Sequence, residues 1–102
     1  MNSFSSNTLA KKTALITGAG GLLGPQHGIG LSSAGAKVIL TDIDEEGLER
    51  SKKKILDFNK NAIVETYILD ITNLESVENF ENTYVKKNKY IDILINNAAI
   101  NP

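Results

Sequence analysis

Apolar residues follow two alternating rhythms from residue 12 onward. Thr13-Ala14-Leu15-Ile16-Thr17 is a short apolar run closed by glycines, the pattern of a buried strand. Residues 25–34 then have helical length. Pro25 suits a first helical turn and Gly35 a stop. Gly28 and Gly30 weaken this helix by roughly 1 kcal/mol each relative to alanine. Val38-Ile39-Leu40-Thr41 reads as a second strand. Residues 45–58 set Leu48, Ile55 and Leu56 among charges, a surface helix with one apolar stripe, and Asp44 suits its N-cap. Ile63-Val64-Glu65-Thr66-Tyr67-Ile68-Leu69 predicts a third strand. Thr72 or Asn73 can cap a following helix, in which Leu74, Val77, Phe80 and Tyr84 recur at helical spacing. Ile91-Asp92-Ile93-Leu94-Ile95 predicts a fourth strand.

The resulting order is βαβαβαβ. Strands rich in Val, Ile and Leu, separated by helices, imply an α/β fold with a parallel sheet covered on both faces. Right-handed crossovers make it one half of a doubly wound sheet. Residues 1–10, rich in Ser and Asn, read as a loose tail without the basic-then-apolar order of a signal peptide.

Composition narrows the function classes. A chain of 102 residues has room for one small domain, and 41% hydrophobic with 23% charged residues is ordinary for a globular protein. A net charge of −1 gives no reason to expect a nucleic-acid or membrane-surface partner. Without cysteine there is no disulfide, no thiolate catalysis and no Cys-based metal site. The single histidine, His27, cannot form a cluster and reads as a half-exposed surface residue. Lys52-Lys53-Lys54 and Lys86-Lys87 read as solvated helix faces. A cytoplasmic location is expected.

The first strand runs into Thr17-Gly18-Ala19-Gly20-Gly21-Leu22-Leu23-Gly24, and a helix follows. A turn without side chains lets backbone approach a pyrophosphate, and the amides and dipole of the helix start attract the phosphates. The last glycine allows close packing of helix on strand. Thr17, Gly18, Gly21 and Gly24 spell T-G-x-x-G-x-x-G, which resembles the short-chain dehydrogenase/reductase family. Single-domain members carry T-G-x-x-x-G-x-G, and Leu22 stands here at its middle glycine. The form with Gly21 looks more like the extended members that act on nucleotide sugars.

Asp42, at the end of the second strand, follows Gly18 by about two dozen positions, near the ~20 expected of an acid that grips an adenosine ribose. Such a carboxylate accepts from both ribose hydroxyls and repels a 2′-phosphate, selecting NAD over NADP. Asp70-Ile71 closes the third strand. The resemblance implies an adenine site there, with the acid towards the exocyclic amine and Ile71 against the ring. Asn96-Asn97-Ala98-Ala99 closes the fourth strand and is similar to the family's N-N-A-G signature, which sets the chain apart from the extended members. An Asn pair can also bridge backbone groups of neighbouring strands. The expected cofactor-binding set is therefore Thr17, Gly18, Gly21, Leu22, Leu23, Gly24, Asp42, Asp70, Ile71, Asn96, Asn97 and Ala98, with no metal.

In the family, chemistry rests on a Ser and a Tyr-x-x-x-Lys pair beyond the fifth strand. None of the three tyrosines here has Lys four residues later: Tyr67 leads to Ile71, Tyr84 to Asn88 and Tyr90 to Leu94. Residues 11–102 are thus expected to form the N-terminal part of a Rossmann domain, with strand order 3-2-1-4 and truncated after the fourth strand. The complete protein would move hydride between NAD and a small alcohol or ketone. Family members are often homo-oligomers, through an interface expected to lie outside this chain. The alternatives are a stand-alone, non-catalytic dinucleotide-binding module and a truncated, inactive gene product.

Overall fold

A computed structural model describes residues 8–85 and 90–97. The elements are β1 (Thr13–Thr17), α1 (Gly24–Ser33), β2 (Lys37–Asp42), α2 (Glu45–Phe58), β3 (Val64–Ile68), α3 (Leu74–Val85) and β4 (Ile93–Asn96). All strand pairs are parallel, in the order β3-β2-β1-β4. The expected fold class and strand order are both present. Element ends shift by one or two residues. Helix α1 begins at Gly24, β3 spans Val64–Ile68, and β4 starts at Ile93 and extends to Asn96.

Local chemistry accounts for these boundaries. Gly35 takes a left-handed φ of 102° just past α1, where a side chain would be strained. Asp44 caps α2 by accepting the Gly47 amide at 3.0 Å. Of the two candidate caps for α3, Asn73 serves, accepting the Ser76 amide at 3.1 Å, while the Thr72 hydroxyl donates to Asp70.

The two sheet faces carry different cores. Ile16, Val38, Leu40 and Val64 meet Leu48 and Ile55 of α2, and α1 lies alongside. A side chain at Gly28 would collide with Ile55, so this glycine, costly to the helix alone, brings α1 close to α2. On the opposite face Leu15 and Ile39 meet Tyr84, with Tyr67 and Phe80 packed around them. Full coverage of both faces, expected for every strand, holds for β1 and β2 only. In β4 Leu94 is 61% exposed, and β3 is mostly half-buried. Leu74, placed on the apolar stripe of α3 by its spacing, is exposed instead, because the aromatic rings further along the helix make the contact.

Candidate functional site

The C-terminal ends of four parallel strands converge at one end of the sheet. In an open α/β sheet, ligands bind in the crevice outside those ends. A cleft of about 720 Å³ lies there, lined by Gly18, Gly21, Leu22, Leu23, Asp42, Ile43, Leu69, Asp70, Ile71, Thr72 and Asn97. Eight of the expected residues thus meet in one cleft. Thr17, Gly24 and Asn96 do not line it, and Ala98 lies outside the described residues. His27 is half-buried in α1 and does not line the cleft.

The glycine turn forms one wall. Gly18 has a φ of 62°, and its carbonyl accepts the Gly21 amide at 3.2 Å and the Asn97 side-chain amide at 3.1 Å. Behind it, the Thr17 hydroxyl donates to the Asn96 side-chain oxygen at 3.0 Å. The Asn pair therefore ties the end of β4 to the turn, Asn96 through the Thr17 side chain and Asn97 through one backbone carbonyl. A Cβ at Gly24 would collide with the Ala19 backbone, so that glycine serves the close packing of α1 on β1. Gly21 differs: a Cβ there would meet only the Gly18 carbonyl, at an ordinary 3.5 Å. The chain itself does not need a glycine at 21, which leaves open space on the cleft side.

Helix α1 points its N-terminus into this region. Leu23, at its N-cap, provides no side-chain hydrogen bond, and no acid occupies the first turn. The helix start thus keeps amide donors and positive dipole uncancelled, a favourable setting for an anion. Leu22 and Leu23 are 91% and 59% exposed and give this wall an apolar rim.

Asp42 closes the opposite side. Its Oδ2 accepts the Gly20 amide at 2.8 Å and its Oδ1 the Asp44 amide at 3.1 Å. An ionised carboxylate has about four acceptor positions, so two remain for a ligand. The two amide bonds fix the side chain before anything binds. Asp70 Oδ1 accepts both the backbone amide (2.9 Å) and the hydroxyl (2.6 Å) of Thr72. These two bonds hold its carboxyl below the usual range, the hydroxyl contributing most. Asp70 thus shapes the turn into α3 and also lines the cleft. Ile43, Leu69 and Thr72 join the lining beyond what the motifs indicate. Each is the chain neighbour of a residue that the motifs single out, and that adjacency was the available signal.

Among the described residues no cluster of His, Cys, Asp or Glu could hold a metal, and no helix is long and apolar enough to cross a membrane.

Comparison with known proteins matches residues 12–102 to the family model for short chain dehydrogenase. An uncharacterized oxidoreductase of Staphylococcus saprophyticus is 40% identical over 92 residues, which is 90% of this chain and 39% of that protein. Among solved structures, an NAD+-bound xylitol dehydrogenase superposes with a TM-score of 0.81 at 30% identity, covering 91% of this chain and 35% of the other. A metagenomic short-chain oxidoreductase in complex with NADP gives 0.80 at 27% identity, covering 90% and 41%. The chain therefore spans about two fifths of the length of these proteins. The family binds nicotinamide dinucleotides, and both forms of the cofactor occur among the similar structures. A glycine turn opening α1, an acid ending β2 and a parallel sheet in the order 3-2-1-4, together with the match from residue 12 onward, place the chain in the short-chain dehydrogenase/reductase family of oxidoreductases.

Proposed function

We propose that residues 11–102 form the NAD-binding part of a short-chain dehydrogenase/reductase; within the span expected to be a tail, Leu9 is already tied to the fold, its amide donating to the Ala34 carbonyl at 2.8 Å. The observation that carries this reading is the cleft itself. A bare glycine turn, a helix N-terminus and a fixed carboxylate face one space of about 720 Å³ at the strand ends. Gly18, Gly21 and the amides opening α1, flanked by Leu22, Leu23 and Gly24, would hold the pyrophosphate. Asp42 would take the adenosine ribose, and Asp70 with Ile71 the adenine. Thr17, Asn96 and Asn97 would keep the turn in place, with Ala98 following them along the adenosine. When bound, the cofactor supplies a hydride acceptor or donor. The substrate in the whole protein would be a small molecule with an alcohol or ketone.

Cofactor choice follows from charge. A 2′-phosphate beside Asp42 would put like charges at contact range, worth on the order of 1 kcal/mol or more when partly desolvated. Calorimetric titration should give NAD binding at least fivefold tighter than NADP, and Asp42→Ala should narrow the gap. Equal or tighter NADP binding by the unaltered chain would overturn the assignment. The chain alone should show no turnover with NAD and a panel of alcohols, since no tyrosine carries a lysine four residues on. NADH absorbance rising above a blank would count against that.

A further inference from the structure

Helix α2 contributes no side chain to the cleft lining, yet two of its residues reach the glycine turn. Ser51 is 2% exposed, and its hydroxyl donates to the Ala19 carbonyl at 2.6 Å. A serine inside a helix commonly bonds a carbonyl of its own preceding turn. This one crosses to a segment 32 residues earlier. Its acceptor sits at the centre of the turn. Ala19 is fully buried, its amide donates to the Thr41 carbonyl at 2.9 Å, and Gly24 packs directly against its backbone. One turn earlier on α2, Gly47 makes the second contact. A Cβ there would lie 2.8 Å from the Gly20 carbonyl, and a Cβ on Gly20 would lie 3.1 Å from the Gly47 backbone and 2.9 Å from Asp42 Oδ2. The turn is thus pressed against α2 at Gly20 and bonded to it at Ala19.

We infer that Ser51 is a positioning residue for the phosphate-facing part of the site, holding the Ala19–Gly21 backbone in the form that receives a pyrophosphate. The inference rests on the function proposed above. The Ser51 hydroxyl is one of the few side-chain donors directed at the turn, and it acts from outside the cleft. Asn97 secures the entry at Gly18 and Ser51 the next residue. Without the hydroxyl, Ala19 keeps its amide bond to β2, but its carbonyl loses this donor. The peptide between Ala19 and Gly20 can then rotate. That peptide carries the Gly20 amide, which also fixes Asp42. A ligand with phosphates should feel this change. A ligand that ends at the ribose should feel it much less, because Asp42 keeps its bond from the Asp44 amide.

The test compares NAD with adenosine, a probe without phosphates, by calorimetry on the full chain carrying Ser51→Ala or Ser51→Cys. Amide exchange is followed by NMR in the absence of ligand. In Ser51→Ala, NAD affinity should fall about tenfold and adenosine affinity stay within about twofold. The Gly20 amide should exchange about tenfold faster, with β1 and β2 amides unchanged. Ser51→Cys, of similar shape but a weaker donor, should fall between. Gly47→Ala, which presses on the turn, should change NAD affinity in the same direction. Equal losses for NAD and adenosine, or unchanged NAD affinity and Gly20 exchange, would overturn the inference. If the unaltered chain binds neither probe, the proposed function fails, and amide exchange alone still decides whether Ser51 holds the turn.

Discussion

On one side of the sheet, Ile16, Val38, Leu40, Leu48 and Ile55 form a continuous aliphatic core with two helices over it. On the other, α3 rests on a few rings. Tyr67 meets Phe80 and Tyr84 edge-on at 5.4 and 5.9 Å, and Phe80 stacks on Tyr84 at 5.6 Å. Leu94, in register with the buried Leu15 next to it, stays largely exposed on this side. The difference matters for the site. The supports of the glycine turn and of Asp42 come mainly from the aliphatic side, through Ala19, Gly20, Gly47 and Ser51. The aromatic side contributes the strand-end turn at Asp70. The glycine turn and Asp42 thus rest on the side with the continuous aliphatic core.

Truncations should expose this contrast most sharply. Ile55→Ala, at a fully buried contact between α2, α1 and the sheet, should cost about 4 kcal/mol, whereas Leu94→Ala should cost less than about 1 kcal/mol. Urea denaturation of both variants measures the gap, and equal costs would erase it. Next in size, Tyr84→Leu should lose about 2 kcal/mol, mostly ring contacts. Its signature should be local. Amides of α3 should exchange faster while those of α1 and α2 keep their protection, and uniform loss would mean that both sides form one cooperative unit.

A smaller effect appears at high pH. Burial first, then the hydrogen bond to Glu65, pushes the Tyr67 hydroxyl up to about 12. Burial also raises Tyr84. A raised phenol favours the neutral form in the folded state. Its contribution is whole below pH 10, the unfolded value, and disappears as pH climbs towards 12. For Tyr67 this amounts to on the order of 1 kcal/mol after allowing for solvent screening. Tyr67→Phe should flatten part of the alkaline decline in urea midpoints between pH 10 and about 12, and an unchanged slope would assign the decline elsewhere. Least of all, Lys53→Ala should cost less than about 0.5 kcal/mol, since its 3.2 Å pair with Asp57 is exposed.

The sheet was legible in advance because β1 and β2 are buried on both faces and show unbroken apolar runs. Leu48 and Ile55 marked the inner stripe of α2 for the same reason. The cleft was legible through glycines and acids at strand ends, where spacing and chemistry coincide. What escaped notice was of two kinds. Exposure of Leu74 and Leu94 depends on where α3 comes to rest, which a helical period cannot convey. Ser51 lies three residues after Leu48 and four before Ile55, on the apolar stripe itself. A lone serine among aliphatics was the available clue, but its acceptor, a carbonyl 32 residues away, emerges only when helix and turn are brought together.

The bond from the Asn97 side chain to the Gly18 carbonyl spans 79 positions. It makes the order of assembly part of the site's chemistry. During synthesis the glycine turn emerges early, yet its full set of hydrogen bonds waits until β4 docks beside β1. Non-local contacts of this kind form late, because loop closure opposes them until the surrounding structure exists. A ligand that favours the latched turn would therefore draw the chain towards the completed sheet by mass action, by about 2.7 kcal/mol at a hundred times its dissociation constant. Cofactor supply would then act on how much of the newly made chain is folded.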